Sequence, residues 1–126
     1  MFAHLHLHTE YSLLDGACRI KRLLDTAAER GDRAVAITDH GVMYGAVDFY
    51  KAAKARGINP IIGCEVYVAQ RSRFDKTREL DSEHRHLVLL CENNTGWRRW
   101  FPRAGLRDST ASRASILSSW SNIMRG

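Results

Sequence analysis

Histidine occupies every second position near the start of this chain, at His4, His6 and His8 in the run HLHLHT. In an extended strand, residues two apart share a face, so three imidazoles would stand on one side with Leu5 and Leu7 on the other. Imidazoles held together at a strand end are ligands for a borderline transition metal such as zinc or manganese. Two more groups with the same chemistry follow, Thr38-Asp39-His40 and Gly63-Cys64-Glu65, each in a strand-like setting. A solvated strand face or a tag remnant would explain the first histidines alone. The mixed HLHLHTEYS run is no tag, and neither reading explains the later His and Glu, whereas a convergent metal site explains all of them.

Such a site needs elements that bring distant segments together. Residues 3–7 read as a buried strand. Over residues 19–30, Ile20, Leu23, Leu24, Ala27 and Ala28 follow the i, i+3, i+4, i+7, i+8 spacing of a helix with one buried face, and Gly31 stops it. Residues 34–38 form the next strand. A second amphipathic helix over 46–56 is expected to bury Val47, Phe49, Tyr50 and Ala53 and to close at Gly57. Residues 61–68 form a third strand, entered through Pro60, which cannot donate to a central ladder. A charged loop over 70–83 leads to a fourth strand at 87–91. Alternating strands and helices predict right-handed βαβ units and a parallel sheet. His6, His8, His40 and Glu65 then fall at or just past the C-terminal ends of the first three strands, where parallel α/β folds gather their sites. His86 precedes its strand, and a parallel fourth strand would leave it at the opposite end.

The 126 residues amount to one small domain. No apolar run approaches the roughly 20 residues that span a bilayer, and no hydrophobic signal core follows Met1, so a cytoplasmic protein without membrane partners is expected. Cys18, Cys64 and Cys91 form no CxxC spacing and read as buried thiols rather than a disulfide framework. Cys64 could stand near the metal, but core packing is the better reading. The net charge of +5 lies entirely in the tail. Up to residue 96, 13 Lys and Arg balance 13 Asp and Glu, and residues 97–126 carry six Arg against one Asp. The neutral body offers no stripe for tracking phosphates, so total charge is weak evidence for nucleic-acid binding.

Three segments, HLHLHTEYSLLDGA, VAITDHGVMYGAVDFYKAAKARGINPIIGCEVYVA and HLVLLCENNTGW, closely resemble the PHP (polymerase and histidinol phosphatase) domain at the amino terminus of bacterial DNA polymerase III alpha subunits. The likeness covers residues 1–97. HxH and TDH are common to the wider superfamily, while DHGVMYG, FYKAAK and PIIGCEVYV look like the replicative-polymerase branch. The resemblance implies an α/β fold, a distorted (β/α)7 barrel of which this chain would hold about four strands and two main helices. It also implies up to three zinc or manganese ions at one mouth. The ligands it implies are His6, His8, Asp15, His40, Glu65 and His86, with Glu65 bridging ions and Glu65 and His40 carrying catalysis. His4 would orient a ligand, His84 would be a solvated loop residue, and Asp39 would either back a ligand or cap the turn into Gly41. In such a cluster divalent ions clamp a phosphoryl group and lower the pKa of water from about 15.7 towards 7. Magnesium would belong to the polymerase site, which is absent here; DNA and other replicase subunits would be the partners of the intact protein.

After Trp97 the resemblance stops. Residues 98–126 hold six Arg, no Lys and six Ser, without periodicity, and read as a non-homologous basic tail. Back-translated with one choice of codons and regrouped one base earlier, the tail becomes LVSQGWVEGFYS and then KPRIDLELLEQYHEG, a polymerase-like continuation, so a frameshift is its expected origin. The family's later ligands, a Cys or His and an Asp-x-His pair, would lie beyond it. The expectation is therefore a fragment of a replicative polymerase. The intact protein would carry metal-dependent phosphoesterase or 3′–5′ exonuclease chemistry, and the fragment itself would be inactive. The alternatives are a free-standing phosphatase of histidinol-phosphate type, against which FYKAAK and PIIGCEVYV argue, and a structural fragment with no activity.

Overall fold

The computed structural model describes residues 2–13, 15–69, 77 and 84–98. Its named elements are α1 (Ile20–Arg30), β1 (Ala34–Ile37), α2 (Ala46–Ala55), β2 (Asn59–Ala69) and β3 (His84–Leu90), followed by a short helical turn over 94–98. α1 forms where the apolar period predicts it and buries Ile20, Leu24 and Ala27. It ends at Gly31, whose φ of 73° is left-handed, and the following chain returns amide hydrogen bonds to Ala27 and Ala28 carbonyls. The face that α2 turns inward overlaps the expected one only in part, keeping Phe49 and Ala53 but not Val47 and Tyr50. Ala46, Phe49 and Ala53 are buried, while Val47 and Tyr50 are half exposed. The small residues Ala46 and Ala53 let the helix approach closely around Phe49, and the larger Val47 and Tyr50 are left outside.

The sheet order is β1-β2-β3. β1 and β2 are parallel, with Ile37 opposite Ile62, and the same register continues to an isolated bridge between His40 and Glu65. That bridge brings two sequence-distant site residues side by side. β3 is antiparallel to β2, pairing Tyr67 with His86 and Gly63 with Leu90. The expectation of an all-parallel sheet is corrected here, and so is the expected fate of His86. A reversed strand places its own beginning beside the C-terminal end of its neighbour, so His86 arrives at the same end as His40 and Glu65. β3 also starts earlier than expected, and His84 belongs to it rather than to a loop.

Residues 3–7 are not a full strand. Their chain runs parallel to β1 through a His4–Val35 bridge, with the Ala36 amide donating to the His4 carbonyl and the Thr38 amide to the Leu7 carbonyl, both at 2.8 Å. The described residues thus hold three named strands and one bridged segment in place of four strands. The core lies between the two helices and the sheet and joins Leu24, Val35, Ile37, Phe49, Ala53 and Ile58. Burial of each large aliphatic or aromatic side chain there contributes about 1.5–3 kcal/mol. A second cluster of Met43, Ala46, Cys64 and Val66 packs with Leu87 and Leu89 and ties β3 to β2.

Candidate metal centre

The loop after the first segment is shaped by one buried carboxylate. Asp39 is 1% exposed and accepts hydrogen bonds from the Thr9 amide at 2.6 Å and the Thr9 hydroxyl at 2.8 Å. Burial pushes its pKa up, against the two Thr9 hydrogen bonds. Asp39 therefore ties the loop over 9–18 to the end of β1. Within that loop Ser12 does two things. Its hydroxyl donates to Asp15 Oδ1 at 2.7 Å and accepts from the His40 amide at 3.2 Å, which sets a carboxylate beside an imidazole from another segment. Gly16 makes the loop possible, because a Cβ there would fall 1.7 Å from the Thr9 carbonyl oxygen.

The six implied ligands come together at this end of the sheet. Glu65 is their hub, with its side chain 4% exposed. Its Oε2 meets His6 Nε2 and, at 2.7 Å, His8 Nε2; its Oε1 meets His86 Nδ1 at 2.5 Å. Asp15 Oδ2 meets His40 Nε2 at 2.7 Å and His8 Nδ1 at 3.0 Å. Three overlapping triads result, His6-His8-Glu65, His8-Asp15-His40 and His40-Glu65-His86, each with ligand atoms within 4.8 Å of one another. Glu65, His8 and His40 are each shared by two triads.

The donor set suits a borderline divalent cation, since it combines imidazole nitrogens with two ionised carboxylates. Burial alone would raise the Glu65 pKa, but hydrogen bonds from His6 and His8 and the His40 charge outweigh it and bring it down to about 2. The Ser12 hydroxyl, followed by the charges of His40 and His8, holds Asp15 below the usual carboxylate range against the effect of burial. His40 Nδ1 is buried and makes no hydrogen bond among the described residues, and its 3.9 Å approach to Glu65 Oε1 is too long for one. An orphaned buried nitrogen aimed into a cluster of ligands is the atom a metal ion would satisfy.

Three neighbouring residues stand apart from the triads. The chain bends at His6, so the strict alternation expected of a strand fails, and the His4 ring lies edge-on to Phe2 with centroids 4.8 Å apart. Cys64 is buried, donates to the Asp39 carbonyl at 3.3 Å, and has its pKa pushed up to about 12 by burial, so it sits in the core as a thiol. Cys18 is exposed, against the expectation of buried thiols, and all three cysteines are free. Sequence reasoning passed over Tyr67, whose ring stacks on His40 at 5.8 Å and meets His86 edge-on at 4.8 Å. Its position two residues beyond Glu65 in the same strand was the available signal. Ser12 and Thr9 were passed over as well, and the S-x-x-D spacing from Ser12 to Asp15 was the clue to the first.

The PHP domain family model matches residues 4–102. Among proteins described as DNA polymerase III subunit alpha, that of Treponema pallidum is 51% identical over 98 residues, covering 77% of this chain and 8% of that protein. The Thermus aquaticus protein is 53% identical over 100 residues, covering 76% and 8%. The Mycobacterium tuberculosis protein is 43% identical over a 135-residue alignment, covering 97% and 11%. The chain therefore spans only about a tenth of the length of these relatives. Among solved structures, an amidohydrolase from Chromobacterium violaceum, determined with bound sulfate and no metal, superposes with a TM-score of 0.54 at 28% identity, covering 80% of this chain and 32% of that one. These matches agree with the α/β fold and are compatible with a partial barrel. The chain belongs to the PHP domain family, in the branch that forms the amino-terminal domain of bacterial DNA polymerase III alpha subunits.

Proposed function

We propose that this chain is the first part of the PHP domain of a cytoplasmic replicative polymerase, and that its three triads hold divalent ions for phosphoester hydrolysis. In the whole domain this would be a 3′–5′ exonuclease or related phosphoesterase. The observation that carries the reading is Glu65, a buried, ionised carboxylate met by three imidazoles from two sequence-distant segments, His6 and His8 from the first and His86 from β3. Zinc or manganese bound by these groups would supply Lewis acidity towards a phosphoryl oxygen. The chain's own residues do the rest. Glu65 and Asp15 hold negative charge at neutral pH, His8 links the two carboxylates, His40 meets Asp15, and Tyr67 walls the site over His40 and His86. Thr9, Asp39 and Ser12 hold the loop that carries Asp15.

Residues 98–126 are proposed to come from a shifted reading frame, with DNA and other replicase subunits as partners of the intact protein. The change of composition after Trp97 supports this, whereas the Mycobacterium alignment runs on through the tail. Genomic DNA past the Trp97 codon that encodes no polymerase-like continuation in any frame would defeat the frameshift. For the chemistry, the purified chain should bind manganese or zinc, show no DNA polymerase activity, and hydrolyse an aryl phosphate weakly at most, with any residual rate lost in Glu65→Ala. Absence of bound ion contradicts the metal site. Turnover of order 1 per second or more that vanishes in Glu65→Ala contradicts the view that ligands beyond this chain are needed.

A further inference from the structure

Two loops at the metal end of the sheet are locked together, and each presents a large apolar side chain to solvent. The first turns back on itself through Ser12: the Asp15 and Gly16 amides both donate to the Ser12 carbonyl, which leaves Leu13 at the tip. Leu13 is 86% exposed. The second runs from His40 to α2, anchored by the Gly41 amide on the Glu65 carbonyl, and carries Tyr44, which is 66% exposed. Tyr11 joins them. Its ring lies so close to Gly45 that a Cβ there would approach it to 2.5 Å, and its hydroxyl donates to Asp48 at 2.9 Å. Leu13 is thus two residues from the ligand Asp15, Tyr44 is four from the ligand His40, and both sit on one braced rim.

Core packing explains neither side chain, since neither belongs to the two core clusters, and neither is part of the triads. An exposed ring beside a site for phosphoryl groups suits a substrate that has a flat apolar part next to its phosphate. A nucleobase has that form, and stacking on an aromatic side chain accepts any base. The same loop leads through Arg19 into the first turn of α1, where Arg19 and Arg22 make no ion pair among the described residues and line a shallow pocket with Lys21 and Asp25. Asp25 is itself engaged by Arg56 and Lys21. Two free guanidinium groups at the foot of the loop suit a further phosphate along a chain.

We propose that Tyr44 and Leu13 form a stacking platform for the terminal base of a single-stranded nucleic acid, with Arg19 and Arg22 beside the backbone of the same strand. This rests on the metal-site reading above and adds to it the residues that would hold the end of the strand. Tyr44 is a specificity-determining residue in this arrangement and does not touch the ions.

Binding to the manganese-loaded 126-residue chain tests it, with a fluorescein-labelled phosphorothioate oligothymidylate followed by anisotropy and inorganic phosphate and the ion followed by calorimetry. Tyr44→Ala should weaken oligonucleotide binding roughly five- to a hundredfold and leave ion and phosphate binding unchanged. Tyr44→Trp should restore it, and Leu13→Ser should weaken it in the same selective way. Oligonucleotide binding by Tyr44→Ala within about twofold of wild type, with ion binding intact, overturns the platform alone. Parallel loss of ion binding in Tyr44→Ala also overturns it, because Tyr44 would then merely support the loop. A wild-type chain that binds no ion overturns the metal-site reading, and the platform falls with it.

Discussion

Replacing Glu65 by Gln keeps the shape of the hub and removes its charge. Two of the three triads depend on Glu65, and its side chain is 4% exposed, so the lost charge is one that water screens poorly. Removing one partner of a buried charged pair costs about 3–5 kcal/mol. At about 1.4 kcal/mol per decade this is a loss of between about a hundred- and a few thousandfold in affinity for the tightest manganese ion. Stoichiometry should fall as well, because only His8-Asp15-His40 keeps its full donor set. Calorimetric titration of metal-free protein measures both quantities. The metal-free protein provides a second reading. The Glu65 pKa in the fold, about 2, lies below its ordinary value of 4.5. Its contribution is therefore present above about pH 4.5 and is lost as pH falls towards 2, and it is worth on the order of a few kcal/mol. Glu65→Gln should accordingly melt lower than wild type at neutral pH and match it in strong acid. Manganese binding by Glu65→Gln within threefold of wild type, at the same stoichiometry, would refute the view of Glu65 as a shared ligand.

Gly16→Ala should open the loop over 9–18, since its Cβ would collide with the backbone at Thr9; ion binding that needs Asp15 should fall at least tenfold by titration, while helix content by circular dichroism stays nearly unchanged. Asp25 accepts from Arg56 Nε at 2.8 Å, and that hydrogen bond, partly opposed by burial, lowers its pKa from 3.8. Asp25→Asn should therefore melt slightly below wild type at neutral pH, with the difference vanishing as pH falls through and below that value, as measured by thermal scans across pH. Leu24 is fully buried between α1, α2 and the sheet, so Leu24→Ala should lose about 2–5 kcal/mol in urea unfolding.

What could be read from the sequence follows from which interactions are local. The apolar period of α1 and its stop at Gly31 depend on neighbours within a few residues, and both appear where expected. The inward face of α2 depends on what the sheet offers: Phe49 and Ala53 are buried as expected, but the small Ala46 is buried where Val47 and Tyr50 were expected. The direction of β3 was missed for a similar reason. A parallel partner needs a crossover, usually a helix, and the charged run over 70–83 has no helical apolar period, a signal that an antiparallel return was open. The chemical types at His6, His8, His40 and Glu65 were legible from spacing, but their meeting depends on the β1–β2 register that sets His40 opposite Glu65. Asp15 and His86 came only through the family resemblance. The S-x-x-D spacing hints at the Ser12–Asp15 contact, but the contact of Ser12 with the His40 amide, 28 residues away, has no local signal.

Whether the six ligands act as one cluster is tested most directly by metal analysis of the purified chain, loaded with manganese or zinc, dialysed and measured by mass spectrometry beside a matched Glu65→Ala sample. The three triads share His8, His40 and Glu65, and the family's later ligands lie outside this chain. One to two ions per wild-type chain should therefore remain, with fewer in Glu65→Ala. No retained ion in the wild type, or equal retention in both proteins, would contradict a metal centre built on Glu65.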